Sequence, residues 1–141
     1  MGKFRQLLVP LDFTGKNQSA VEMALRMAKP DGASVTLVHV IETLAGPEDV
    51  TLAAFYAQLE AYARQQLQRF AKAFEKEGIC VKQVVLFGRR GPEIVRYAME
   101  NDVDLMVLSS HRISLDGSTE GWGTLSYQIS IACQCPVLLV K

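Results

Sequence analysis

Little in this chain is reactive. Among 141 residues there are 3 cysteines, 2 histidines and 1 tryptophan. Cys80, Cys133 and Cys135 are an odd, small set, which argues for reduced thiols rather than a disulfide framework. Cys133 and Cys135 form a C-x-C that could hold a soft metal or sense oxidants, but neither His39 nor His111 stands at a ligand spacing from them. The pair is read as two small packed residues at a helix–strand junction. Net charge is also lacking: Lys plus Arg equals Asp plus Glu, 15 each, which speaks against a nucleic-acid or anionic-membrane partner. No apolar run approaches the roughly 20 residues a membrane helix needs. The start, Met1-Gly2-Lys3-Phe4-Arg5, leads into a strand and resembles neither a signal peptide nor a myristoylation site. A soluble cytoplasmic protein of one domain, residues 1–141, is expected, with 49% hydrophobic and 21% charged residues to build it.

What is present is an alternation of strand and helix signals. Gln6 to Leu11 is an apolar strand with Pro10 near its end, where a missing N–H is tolerated. Asp12-Phe13-Thr14-Gly15-Lys16 is a loop, and Asn17 is placed to cap a helix from Gln18 to Lys29 with Ala20, Val21, Ala24, Leu25, Met27 and Ala28 apolar. Val35 to Val40 is a second strand, Ile41 to Asp49 a loop, and Thr51 to Glu77 a long helix. Its stripe runs Leu52, Phe55, Leu59, Ala63, Leu67, Phe70 or Ala71, Phe74, and Gly78 fits its C-cap. Val81 to Phe87 is a third strand. Arg89-Arg90 after it is read as a solvated turn. Gly91-Pro92-Glu93 opens a helix with Pro92 at the first helical position and Ile94, Val95, Ala98 and Met99 on its apolar face.

The last third gathers the polar chemistry. Asp104 to Leu108 is a buried-type strand, Ser109-Ser110-His111-Arg112 leaves it, and a polar loop continues to Trp122. Gly123-Thr124 precedes a helix from Leu125 to Ala132, and Cys135-Pro136-Val137-Leu138-Leu139-Val140-Lys141 is a final strand. A polar loop from a strand's carboxyl end to a helix's amino end is an anion site in parallel α/β proteins, because free N–H groups and the helix dipole converge there. Five strands separated by helices call for a doubly wound α/β fold, a parallel sheet with helices on both faces. Adjacent Ser110 and His111 on extended chain point to opposite faces, so they make no nucleophile–base pair. His39 reads as a satisfied core or rim histidine, and no complete Walker loop or hydrolase motif is present.

Leu7-Leu8-Val9-Pro10-Leu11-Asp12, Leu37-Val38-His39-Val40, Gly88 to Ile94 and the stretch from Ser109 to Val140 together resemble the universal stress protein family over nearly the whole chain. The resemblance implies an adenine-nucleotide alpha-hydrolase-like sheet of order 3-2-1-4-5. A crevice is then expected between the first and fourth strands, with the third strand and Arg89-Arg90 at an edge away from it. Nucleotide-binding members carry G-x2-G-x9-G-[ST]; here Ser109 and Arg112 replace the first two glycines and ten residues separate Arg112 from Gly123, while Gly123-Thr124 is intact. By matching position, the binding residues are Pro10, Leu11, Asp12, Phe13, Val40, Leu108, Ser109, Ser110, Arg112, Gly123, Thr124 and Leu125. Of these, Asp12 would face a ribose, the Val40 backbone an adenine edge, and Ser109, Arg112, Gly123, Thr124 and Leu125 the phosphates of ATP or another adenine nucleotide. Read without the family, Asp12 caps its own loop and the two serines satisfy local backbone. Arg112 either fills the phosphate position or grips it bidentately. No metal is expected beyond nucleotide-associated Mg. The expected function is a binding or regulatory module, not an enzyme; the alternatives are a dimeric interaction module without nucleotide and a weak ATPase. The open apolar edge Val137-Leu138-Leu139-Val140 suggests a homodimer by strand pairing, which the resemblance also implies, with a signalling or transport protein as a further partner.

Overall fold

The computed structural model of the chain describes residues 3–43, 50–110 and 125–141. Among them are five parallel strands: β1 (Gln6–Pro10), β2 (Ser34–Glu42), β3 (Val81–Gly88), β4 (Leu105–Ser109) and β5 (Val137–Val140). Four helices alternate with them: α1 (Asn17–Ala28), α2 (Val50–Lys76), α3 (Arg90–Glu100) and α4 (Leu125–Ala132). The sheet order is β3-β2-β1-β4-β5, as the resemblance implies. Register is set at the centre, where Leu7 stands beside Val35 on β2 and beside Leu105 on β4.

A parallel sheet must be covered on both faces, and the side-chain period of two divides each strand between two cores. Leu7, Val9, Val35, Leu37, Leu105 and Val107 meet Ala20, Ala24, Leu67, Ala71 and Phe74 of α1 and α2. Leu8, Val38, Val40, Met106 and Leu108 meet Ile94, Ala98 and Ile129 of α3 and α4. Leu37 and Val38 are thus buried on opposite faces of the sheet. The small residues of α1 serve close approach: Ala20, Ala24 and Ala28 are fully buried, so the helix backbone lies near the sheet.

Three helix readings change. The α2 stripe is core only in its second half, from Ala63 through Leu67 and Ala71 to Phe74; Phe55 is 51% exposed. Periodicity reports a face, not how far the neighbouring sheet extends beneath it. Met99, expected on the buried face of α3, is 57% exposed, because it lies round the helix from the stripe of Ile94 and Ala98 that meets the sheet. Pro92 is the third residue of α3, not the first, with Arg89 in extended conformation at the N-cap. It remains in the first turn, where a missing N–H costs nothing. The close of α2 follows the sequence reading: Gly78 has φ 72°, and the Ile79 N–H reaches back to the Phe74 carbonyl at 3.0 Å.

Candidate functional site

The order of connections reverses between β1 and β4, and a crevice of ≈ 230 Å³ opens at their carboxyl ends. Pro10, Leu11, Asp12, Val40, Leu108, Ser109, Ser110 and Leu125, all expected at the site, line it. They are joined by Thr14, Lys16, Asn17, Val38, Arg90, Ile94, Ser126 and Ile129. The walls are aliphatic and the rim is polar. Arg112, Gly123 and Thr124, like His111 and Trp122, lie outside the described residues. Phe13 is not among the lining residues. Its ring stacks on His39 with centroids 4.1 Å apart and packs against the core beneath α1 and α2.

Asn17 holds the crevice together, a role different from the N-cap expected of it. Lys16 occupies the N-cap position and Asn17 is the first residue of α1, 1% exposed. Its Oδ1 accepts the backbone N–H groups of Asp12 at 3.0 Å and Phe13 at 2.6 Å. Its Nδ2 donates to the Ser109 Oγ at 3.1 Å. One carboxamide thus ties the loop after β1, the start of α1 and the end of β4. The signal was readable: Asn17 precedes Ala20, Val21, Ala24 and Ala28 on the helical repeat, so its side chain had to be buried and needed partners.

Asp12 behaves as the local reading expected. Its Oδ1 accepts the N–H of Thr14 at 3.0 Å and the Thr14 hydroxyl at 2.7 Å, while the carboxylate stays exposed at the rim. Partial burial raises its pKa, but the bonds from Thr14 and Asn17 and the nearby Arg90 together hold it below 3.8. It is a fixed acceptor at neutral pH. Ser110 is buried, its hydroxyl 3.2 Å from that of Ser126 on α4. Its N–H donates to the Val140 carbonyl at 2.8 Å, and Lys141 Nζ lies 3.4 Å from its Oγ.

Arg90 corrects the reading of a solvated turn away from the crevice. It lines the cavity, acts electrostatically on Asp12 and His39, and pairs with Glu42 at 3.6 Å. Gly88 makes this possible. With φ 141° it takes a conformation closed to L side chains, and a Cβ there would meet Glu93 Cγ at 3.0 Å. The chain turns sharply out of β3 and directs the start of α3 back over the sheet. A residue at the sheet's edge in topology is thereby brought to its centre.

β1 also ends before β2 does. Their register stops at Pro10 beside Val38, and the Leu11 N–H meets the Val38 carbonyl at 2.8 Å. Backbone groups alternate sides along a strand, so Val40, two residues on, directs its N–H and C=O past the end of β1 toward the crevice. Beside it, His39 Nδ1 donates to the Leu11 carbonyl at 2.7 Å. Burial pushes its pKa below 6.5 and Arg90 adds to this, against the Leu11 bond and Asp12. No group of three or more His, Cys, Asp and Glu among the described residues is placed to hold a metal ion, and no described helix is long and apolar enough to cross a membrane.

Comparison with known proteins agrees with this architecture. The model of the universal stress protein family matches residues 3–141. Universal stress protein YxiE of Bacillus subtilis is 26% identical, with 98% of this chain and 99% of the relative covered. Among solved structures, a universal stress protein in complex with cAMP aligns at TM-score 0.79 and 17% identity, covering 99% of each chain. That of Archaeoglobus fulgidus in complex with dAMP aligns at TM-score 0.70 and 18% identity, covering 99% of this chain and 100% of its own. At such identities these two structures speak for the fold.

Two outcomes follow from the site itself. Asn17→Ala leaves two backbone donors without their acceptor and should destabilise the domain by about 2–4 kcal/mol. Asn17→Asp, which keeps the acceptor, should cost less; urea midpoints at unchanged slope measure both. The second outcome concerns pH. Because folded His39 has the lower pKa, the unfolded chain binds that proton more readily. Its contribution is full above 6.5 and is lost as pH falls through the lowered value. The melting temperature should drop on acidification below about 6.5, and His39→Gln should remove that part of the drop. An unchanged pH profile in the variant would show that His39 is not its source.

Proposed function

The chain belongs to the universal stress protein family, and on that premise we propose that it is a binding and regulatory module of the cytoplasm whose crevice takes an adenine nucleotide, rather than a catalyst. The observation that carries this reading is the crevice at the β1–β4 switch point, with aliphatic walls and a rim of Asp12, Lys16, Asn17 and Arg90. Val38, Val40, Leu108 and Ile129 suit the faces of a base, and the Val40 backbone suits its edge. Asp12, an ionised acceptor, suits sugar hydroxyls. Lys16 and Arg90 are positive charges at the mouth for a phosphate. The cavity that the described residues bound, ≈ 230 Å³, lies below the usual range of ligand sites (roughly 300–1,000 Å³). Structural neighbours in complex with cAMP and dAMP support the same ligand class. Catalysis finds less support, since His39 Nδ1 is engaged with the Leu11 carbonyl.

Calorimetry against AMP, cAMP and ATP tests this. At least one should bind, and Arg90→Ala should weaken it by about 1–3 kcal/mol if the guanidinium meets the phosphate. Absence of heat and of any thermal shift at millimolar nucleotide would leave the reading of an interaction module that binds no nucleotide.

The assembly proposed is a homodimer through β5. Leu138 and Val140 pack against one core and Val137 and Leu139 against the other, so the side chains of β5 are already used by its own domain. What the strand offers a partner is its outer backbone edge, and pairing with a second copy across a two-fold axis satisfies it. A signalling or transport protein is the partner class proposed for the dimer. Sedimentation should give roughly twice the 15.6 kDa of the chain. Leu138→Pro, which removes a ladder donor, should give monomer or aggregate. A 15.6 kDa species for the unmutated chain at micromolar concentration would rule the dimer out.

A further inference from the structure

Between the end of α4 at Ala132 and the start of β5 at Val137 runs Cys133-Gln134-Cys135-Pro136. The Cys133 N–H closes the last turn of α4 on the Ile129 carbonyl at 2.8 Å, and the chain then bends sharply at Gln134 and Cys135. The bend turns both side chains the same way. Their Sγ atoms lie 3.2 Å apart, both half-buried against the core beneath α3 and α4. About 1 Å of approach separates this contact from the roughly 2.05 Å of a disulfide. The sulfurs are also reachable: a cavity of ≈ 440 Å³ is lined by both cysteines together with Met99, Asp102 and Asp104. Two sulfurs without a third ligand are too few for a closed metal site, and no such cluster is found among the described residues.

We propose that Cys133 and Cys135 are a reversible redox site, a dithiol that a low-molecular-weight disulfide oxidises to an intramolecular disulfide across Gln134. In the first step one of the two sulfurs, as thiolate, attacks one sulfur of the small disulfide. That S–S bond breaks, one small thiolate leaves and is protonated, and a mixed disulfide remains on that cysteine. In the second step the other cysteine gives its proton to solvent and attacks the same protein sulfur, expelling the second small thiolate. Two protein thiols lose two electrons and two protons, and one small disulfide becomes two thiols. Burial first, then the neighbouring Cys133, pushes the Cys135 thiol up to about 12, as befits two sulfurs 3.2 Å apart. The ring closed through one intervening residue is small and strained, which places this bond with labile, regulatory disulfides rather than structural ones. It also sits at a consequential joint. α4 begins with Leu125 and Ser126 on the crevice wall, and β5 is the sheet's edge.

The test uses the full chain carrying Cys80→Ser, an exposed position, so that only the pair is counted. Incubation in graded mixtures of oxidised and reduced glutathione, then alkylation and mass spectrometry, should show loss of two hydrogens, no alkylation of the pair, and full reversal in excess reduced glutathione. Two cysteines that stay alkylatable in the most oxidising mixture, or that each carry a separate glutathione, would overturn the site. In either single variant, Cys133→Ser or Cys135→Ser, the remaining cysteine should stop at the mixed disulfide with glutathione. No uptake of glutathione by either variant would overturn the site.

Discussion

β1 is covered by strands on both edges and by helices on both faces, with Leu7, Leu8 and Val9 fully buried. Every other element takes its position from it. The chain leaves β1 toward β2 and β3 on one side and returns to β4 and β5 on the other, so the loops after β1 and β4 part above the sheet. A gap between diverging loops would expose backbone donors and buried core to water. The Asn17 carboxamide answers that constraint by reaching from the start of α1 to the Asp12 and Phe13 N–H groups on one side and Ser109 on the other. The crevice is what remains between the loops once they are tied.

That arrangement gives the site two kinds of surface for two physical reasons. Its floor is aliphatic because it is the upper end of the core beneath α3 and α4, including Val38, Leu108 and Ile129. Its rim is polar because the carboxyl ends of the strands and the amino ends of the helices meet there, and Asp12 and Arg90 stand among them. Phe13, held at φ 66° by its N–H bond to Asn17, turns its ring to His39 and keeps it out of the crevice. A residue in the left-handed region is strained, and here a hydrogen bond and a ring stack hold it.

Ser109 and Arg112 stand where the family resemblance implies glycines. Ser109 Oγ accepts from Asn17, so the first replacement serves the frame of the crevice. The hydroxyl does structural work that a glycine would leave to other groups. Among the described residues, Lys16 and Arg90 bring positive charge to the crevice, and they stand at the start of two different helices.

The sequence by itself determined the class of fold, the five strands and their division between two cores, because apolar period and helix punctuation are local properties. The run from Leu105 to Leu108 and the Gly78 stop could be read one segment at a time. Family resemblance supplied the strand order and half of the residues that line the crevice, from Pro10 to Leu125. Tertiary structure decided the rest. Whether Phe55 is covered depends on how far the sheet extends beneath α2, which no helical repeat records. Arg90 reaches the crevice only because Gly88 redirects the chain over the sheet, and Cys133 meets Cys135 only because the backbone bends between them. Contacts of this kind depend on the path of the backbone, and spacing along the chain fixes that path only in part.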